Sequence, residues 1–358
     1  MLRASQRLKV IVTVCSAILI VTLSSPANAS GDLSKLLPTS EKNIFILDVS
    51  GSTNSDALWK NSLRPSIIKR LSQPFGIPAV GGFTPQAPLD ITVSLINSQS
   101  LDAPVFPIVT QDDAQRIWGV IDNIGEKPSS ARLKAIVGDI FGGSGAFAKQ
   151  AQFLTRSSIT PPVAADCENS MVASFKYGQY MGNLDLAKKR LAARVFCSTL
   201  INFAKRLNKA DSYLTHPTCG NSKSCSDIAG AILRTNYAAV DAYQVNHAAK
   251  LCVAIASDML NNYPGMLPSS PLNSQMIALT APTQEQAKMK GLEAARAVGI
   301  KFPKGMKIRV SIMGQGSGPN PLPLEKNSML SAYWQGFWEA SGISTSSQVR
   351  SLDQACSI

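Results

Sequence analysis

Two apolar runs that each end in an aspartate constrain this chain more than any other feature of it. Ile44-Phe45-Ile46-Leu47 leads into Asp48-Val49-Ser50-Gly51-Ser52-Thr53, and Cys252-Val253-Ala254-Ile255-Ala256 leads into Ser257-Asp258. Continuous apolar runs of this length fit strands covered on both faces, as in a parallel sheet between layers of helices. In open sheets of that kind ligands sit outside the carboxyl ends of the strands. Two carboxylates at two strand ends, one followed by hydroxyls at alternate positions, form an oxygen-rich set suited to a hard cation.

The rest of the chain alternates in the same sense. Asn54 or Ser55 can cap a helix from Asp56 to Leu71, with Pro65 expected to kink or split it. Ser72 to Leu89, rich in Gly and Pro, is a long connection; Ile91 to Asn97 is a second strand, and Pro104 to Val109 a shorter extended segment. Residues 101–180 carry few strand signals and read as a mainly helical insertion. Leu184 to Leu207 is a long amphipathic helix, and Asp227 to Tyr243 a further helix before the strand that ends at Asp258. A strand from Lys307 to Met313 precedes Gly314-Gln315-Gly316-Ser317-Gly318, which lacks the Lys-Ser/Thr of a phosphate loop and reads as a flexible connection. The last helix, Met329 to Ala340, places Tyr333, Trp334, Phe337 and Trp338 at helical spacing, as packing against a sheet requires. The expected fold class is α/β: a doubly wound, mainly parallel sheet flanked by helices, Rossmann-like, with a helical insertion.

The first 29 residues read as an export signal. Arg3, Arg7 and Lys9 precede an apolar stretch from Val10 to Leu23, and Ala27-Asn28-Ala29 has the small-residue pattern of a cleavage site. The apolar stretch is short for a bilayer span of roughly 20 residues. Residues 30–358 are then one domain of an exported protein, periplasmic, secreted or held in the cell envelope. Without the leader the chain keeps 32 basic and 23 acidic residues. That surplus favours anionic partners, an acidic protein or another anionic envelope ligand. No basic cluster interleaved with aromatics points to nucleic acid. Cys167, Cys197, Cys219, Cys225, Cys252 and Cys356 permit up to three disulfides in an oxidising compartment. Cys219 and Cys225 would close a small loop, and Cys252, in a buried strand, reads as a small core residue. His216 and His247 do not pair with the cysteines in any zinc spacing.

Asp48-x-Ser50-x-Ser52, together with Ser257-Asp258, resembles the von Willebrand factor type A family and its metal-ion-dependent adhesion site. The family's middle loop carries a threonine at a helix start; here Ser226-Asp227-Ile228-Ala229-Gly230 places Ser226 at that position, where it also suits a simple helix cap. The resemblance implies metal ligands Asp48, Ser50, Ser52, Ser226 and Asp258, Mg²⁺ or Mn²⁺ as the ion, and an acidic group of a partner as the missing ligand. The separation from Asp48 to Ser226 exceeds what a compact domain of this type needs, so the excess folds outside the core.

A binding or adhesion protein without catalysis is the function this implies. A phosphohydrolase resembling the haloacid dehalogenase class is the alternative enzyme, but Ser50 stands where the second acid is needed to handle the leaving-group proton. A third alternative is an envelope structural protein that contacts its partners through the helical insertion.

Overall fold

The computed structural model describes residues 41–50, 55–71, 89–125, 130–142, 145–156, 158–214, 225–245, 248–263, 266–317, 320–343 and 346–350. The leader and its cleavage site, Ser52, the connection over 72–88, His216, Cys219, His247, Gly318 and Cys356 lie outside them. The chain runs β1 (Glu41–Asp48), α1 (Ser55–Leu58), a π-helical turn (Trp59–Leu63), α2 (Arg64–Leu71), β2 (Leu89–Ile96) and β3 (Val105–Val109). Then come α3 (Gln111–Gly125), α4 (Ser130–Phe141), α5 (Ala146–Ala151), α6 (Ala164–Phe175) and α7 (Leu186–Leu214). The second half alternates again, as α8 (Ile228–Val245), β4 (Lys250–Ala256), α9 (Ser274–Thr280), α10 (Gln284–Val298), β5 (Lys307–Met313), α11 (Leu324–Ala340) and β6 (Ser346–Gln348).

The strands form one sheet in the order β3-β2-β1-β4-β5-β6, parallel throughout except for the antiparallel β2–β3 pair. This is the doubly wound α/β class expected from the alternation. Both faces of the central strands are buried, and the period of two separates them. Ile44, Ile46, Leu251, Val253, Ile255, Val310 and Ile312 share a core with α8, α10 and α11. Phe45, Leu47 and Ala254, which alternate with them, are equally buried outside that core.

Pro65 does not split its helix. It follows the π turn, in which Arg64 N donates to Trp59 O across five residues. Widening the helix by one residue relieves the clash between a proline ring and the carbonyl four residues back.

The helical stretch has a core of its own. Phe141, Phe147, Phe175 and Phe196 meet with ring centroids 5.1–6.5 Å apart. Residues 105–109 are the sheet's edge strand, so the helices proper begin at Gln111 and continue through α7. Because β3 is antiparallel, with Val109 opposite Ile91, the chain enters the helices at the end of the sheet away from Asp48.

Cys167 on α6 is bonded to Cys197 on α7, with Cα atoms 5.9 Å apart. Cys225 and Cys252 are each part of a disulfide as well, which corrects the expectation that Cys252 is only a small core residue. Closing a loop of 30 residues between Cys167 and Cys197 removes chain entropy from the unfolded state worth roughly 3–4 kcal/mol. The Cys167→Ala/Cys197→Ala protein is therefore expected to lose about that much stability in urea unfolding. A loss under 1 kcal/mol would mean that the α6–α7 contact holds without its staple.

Candidate metal centre

The strand order reverses direction between β1 and β4, so the crevice at their carboxyl ends is the topological switch point of the sheet. Asp48 is the last residue of β1, and the pairing of Leu47 with Ala256 sets Ser257 level with it. Asp48 is fully buried, and Ser50, Ser226, Ser257 and Asp258 are each at most 5 % exposed.

The Asp48 carboxylate collects hydroxyls from three loops. Ser257 Oγ donates to Oδ2 at 2.7 Å, and Ser226 Oγ lies 3.3 and 3.4 Å from Oδ2 and Oδ1. Ser50 N donates to Oδ1 at 2.9 Å as the chain turns out of β1. Burial pushes the Asp48 carboxyl above the ordinary carboxylate range; bonds from Ser257, Ser50 and Ser226 oppose that rise.

Asp48, Ser50 and Ser226 of the expected ligand set thus come together, while Ser52 lies outside the described residues. Asp258 follows Ser257 in the third loop, where its Oδ1 accepts from Leu260 N at 3.0 Å. Ser257 is the residue the sequence reading passed over. It lies at the end of β4, level with Asp48, and the pairing of two buried parallel strands was the signal that could have found it.

The capping alternative for Ser226 does not describe it. Asp227 caps α8, with Oδ1 accepting from Gly230 N at 2.9 Å, and Asn261 Oδ1 takes the first-turn amides of Ile228 and Ala229 at 2.6 and 3.1 Å. That leaves the Ser226 hydroxyl pointing to Asp48. Its backbone is fixed by a two-way bridge with Asn262, at 2.8 and 3.0 Å.

The second loop is braced from β2. Asp227 N donates to Asn97 O at 2.9 Å, and Asp227 Oδ2 accepts from Ser100 N at 3.1 Å. Arg234, in the second turn of α8, donates to Leu95 O, Ala103 O and Ser94 Oγ. Burial lowers its pKa to about 10, against the pull of Asp227 and Asp102.

The third loop carries backbone strain. Met259 has φ 64° and is the non-glycine residue with positive φ among the described residues. A side chain in that region costs of order 1–3 kcal/mol. Its neighbour segment Gly314–Ser317 is not a loose connection. Gly316 N donates to Asp258 O at 2.8 Å and Ser317 N closes on Gly314 O at 2.9 Å, with Gly314 and Gly316 both at positive φ. The glycines permit the turn that lays β5's exit against the third loop.

Among the described residues no three His, Cys, Asp or Glu side chains gather as a metal-holding group. No described helix is long and apolar enough to cross a membrane. No protein-family model, curated protein or solved structure matches the chain.

Proposed function

We propose that this chain is an exported binding protein of von Willebrand A type, in which Asp48, Ser50, Ser52, Ser226 and Asp258 hold Mg²⁺ and a partner's acidic group completes the shell. The observation that carries this reading is the ring of hydroxyls around a buried carboxylate at the switch point of the sheet. Mg²⁺ binds oxygens at about 2.0–2.1 Å in octahedral geometry, so neighbouring ligand oxygens stand about 3 Å apart. The separations of 3.3 and 3.4 Å between Ser226 Oγ and the Asp48 oxygens lie near that value, and Ser257 Oγ, at 2.7 Å, orients the Asp48 carboxylate. A cation would supply electrostatic attraction for an anionic group while offsetting the desolvation that raises Asp48. The fit relies on hard neutral oxygens, which suit Mg²⁺ or Mn²⁺ and disfavour softer metals. The reading requires no catalytic step: the hydroxyls act as ligands, not as nucleophiles. The basic surplus of the chain draws acidic partners to the same protein.

Titration calorimetry with Mg²⁺ and Mn²⁺ tests it on the folded protein. Saturable one-site binding is expected, weakened at least about a hundredfold by Asp48→Asn, which keeps the shape and removes the charge. At a hundred times the wild-type Kd the ion is expected to stabilise the wild type by about 2.7 kcal/mol, and Asp48→Asn by no more than about 0.4 kcal/mol. Wild-type protein that binds neither ion, or an Asp48→Asn variant that binds as well, would sink the reading.

A further inference from the structure

We infer that Trp334 of α11 is a positioning residue for this site: its indole N–H, with the Ser274 hydroxyl, clamps the third loop in the strained conformation that delivers Asp258. The inference rests on the metal reading above for its functional meaning and on separate geometry for the clamp.

Met259 immediately follows Asp258, and its carbonyl is the anchor point. Trp334 Nε1 donates to Met259 O at 2.9 Å, and Ser274 Oγ donates to the same oxygen at 2.9 Å. Both donors are buried, Trp334 at 1 % exposure and Ser274 at 0 %. Ser274 Oγ also accepts from Asn261 N at 2.7 Å, so one hydroxyl ties both sides of the turn. Asn261 then reaches the middle loop through the α8 amides, and Asn262 through its bridge to Ser226. The clamp is therefore connected to two of the loops that supply ligands.

The strain explains why a clamp is needed. An unrestrained L-residue leaves the left-handed region, and rotation about Met259 would swing Asp258 and the Ser257–Met259 turn together. That turn includes the bond from Met259 N to Ser257 Oγ at 2.9 Å, and Ser257 Oγ in turn donates to Asp48 at 2.7 Å. Glycine at this position would occupy the same φ without penalty. The chain instead carries methionine, whose side chain is fully buried in the core with α11. The loop's shape is thus imposed from outside it, by a helix that supplies no ligand.

Trp334 stacks among Tyr333, Phe337 and Trp338 with centroids 5.0–5.9 Å away, so Trp334→Phe keeps an aromatic ring in the cluster and removes the donor. The experiment compares Mg²⁺ affinity and urea stability in the wild type, Trp334→Phe, Met259→Gly and the double variant. The clamp predicts that Trp334→Phe weakens Mg²⁺ about tenfold with the fold intact. It predicts that adding Met259→Gly to Trp334→Phe recovers affinity to within about threefold of Met259→Gly alone, because the loop no longer needs holding. A purely structural tryptophan would give no such rescue. Trp334→Phe with wild-type affinity, or a double variant as weak as Trp334→Phe, overturns the inference. Should the wild type bind no Mg²⁺, the metal reading fails by itself and the stability cycle decides the clamp. Non-additive losses of Trp334→Phe and Met259→Gly then support it, and additive losses overturn it.

Discussion

Gly336→Ala and Gly291→Ala are each expected to cost about 3 kcal/mol, although alanine is the better helix former. A Cβ at Gly336 would stand 2.1 Å from Lys288 O, and one at Gly291 would stand 1.9 Å from Tyr333 O. Both obstacles are backbone carbonyls of the facing helix, so no side-chain rotation clears them. Helices α10 and α11 must separate by roughly an ångström, loosening the small-residue seam of Ala287, Ala294, Ala295 and Ala332 buried along their contact. The alanine propensity gain of about 1 kcal/mol offsets only part of this. A loss of about 3 kcal/mol lowers Tm by roughly 4–5 °C in a chain of this size. Gly119 on α3 provides the control, because a Cβ there meets nothing within 4 Å. Gly119→Ala should raise stability by up to about 1 kcal/mol. Calorimetric melting of the three variants decides it: the same substitution must change sign between exposed and interfacial helix positions. If Gly336→Ala melts with the wild type, the close approach of the two helices is not what holds them.

This pair of helices also shows what the sequence left unread. The strands leading to Asp48 and to Ser257-Asp258 were legible because uninterrupted apolar runs have few other uses, and the strand ending at Met313 because Ile308, Val310 and Ile312 alternate with polar residues. The aromatic face of α11 was legible because four large side chains recur at helical spacing, and all four are buried. Helix α10 was passed over. Its start carries a Thr283-x-x-Gln286 cap, with Thr283 Oγ1 accepting from Gln286 N at 3.2 Å, and Gly299 ends it at φ 76°. What hid it is that its buried face is alanine and glycine, so the hydrophobic contrast that marks a helix is weak. Strand β6 gave no signal at all: Ser346, Ser347 and Gln348 are polar and exposed, and pairing with β5 alone makes them a strand.

The candidate site divides in the same way. Asp48, Ser50 and Asp258 were visible because strand ends in an open sheet concentrate ligands. The hydroxyl of Ser257 was hidden by the choice of the acid beside it, though the acid and the hydroxyl enter one crevice from consecutive positions. The supports were out of reach altogether. The bonds of Asn261 to α8, of Arg234 to β2 and the loop after it, and of Trp334 to Met259 join residues 32 to 140 positions apart. Such contacts depend on the packing of whole elements, which no local pattern encodes.

Asp113→Ala is expected to be at least as costly as the helix-seam substitutions, about 3–5 kcal/mol, and for a different reason. Asp113 Oδ2 accepts from Thr110 N and Thr110 Oγ1, both at 2.9 Å, which caps α3 where it leaves the edge strand. The same oxygen meets Arg206 Nη1 of α7 at 2.5 Å, and Arg206 Nη1 also donates to Ile108 O in β3 at 3.2 Å. One carboxylate therefore joins the edge of the sheet, the first helix after it and the longest helix of the chain. Its side chain is 3 % exposed and that of Arg206 29 %, so removing the acid leaves a half-buried guanidinium facing an empty place. Loss of one member of a buried pair is worth about 3–5 kcal/mol, whereas replacing both by packed apolar groups is often far milder. Arg206→Met alone strands the acid, and Asp113→Ala/Arg206→Met should cost at least about 1 kcal/mol less than the sum of the single losses. Additive losses in urea unfolding would show that the pair is not the strut between sheet and helices. Because this strut stands at the end of the sheet away from Asp48, Asp113→Ala is also expected to leave Mg²⁺ affinity within about twofold of wild type at temperatures where it is folded. A larger change would mean that the helical insertion reaches the metal face through the edge of the sheet.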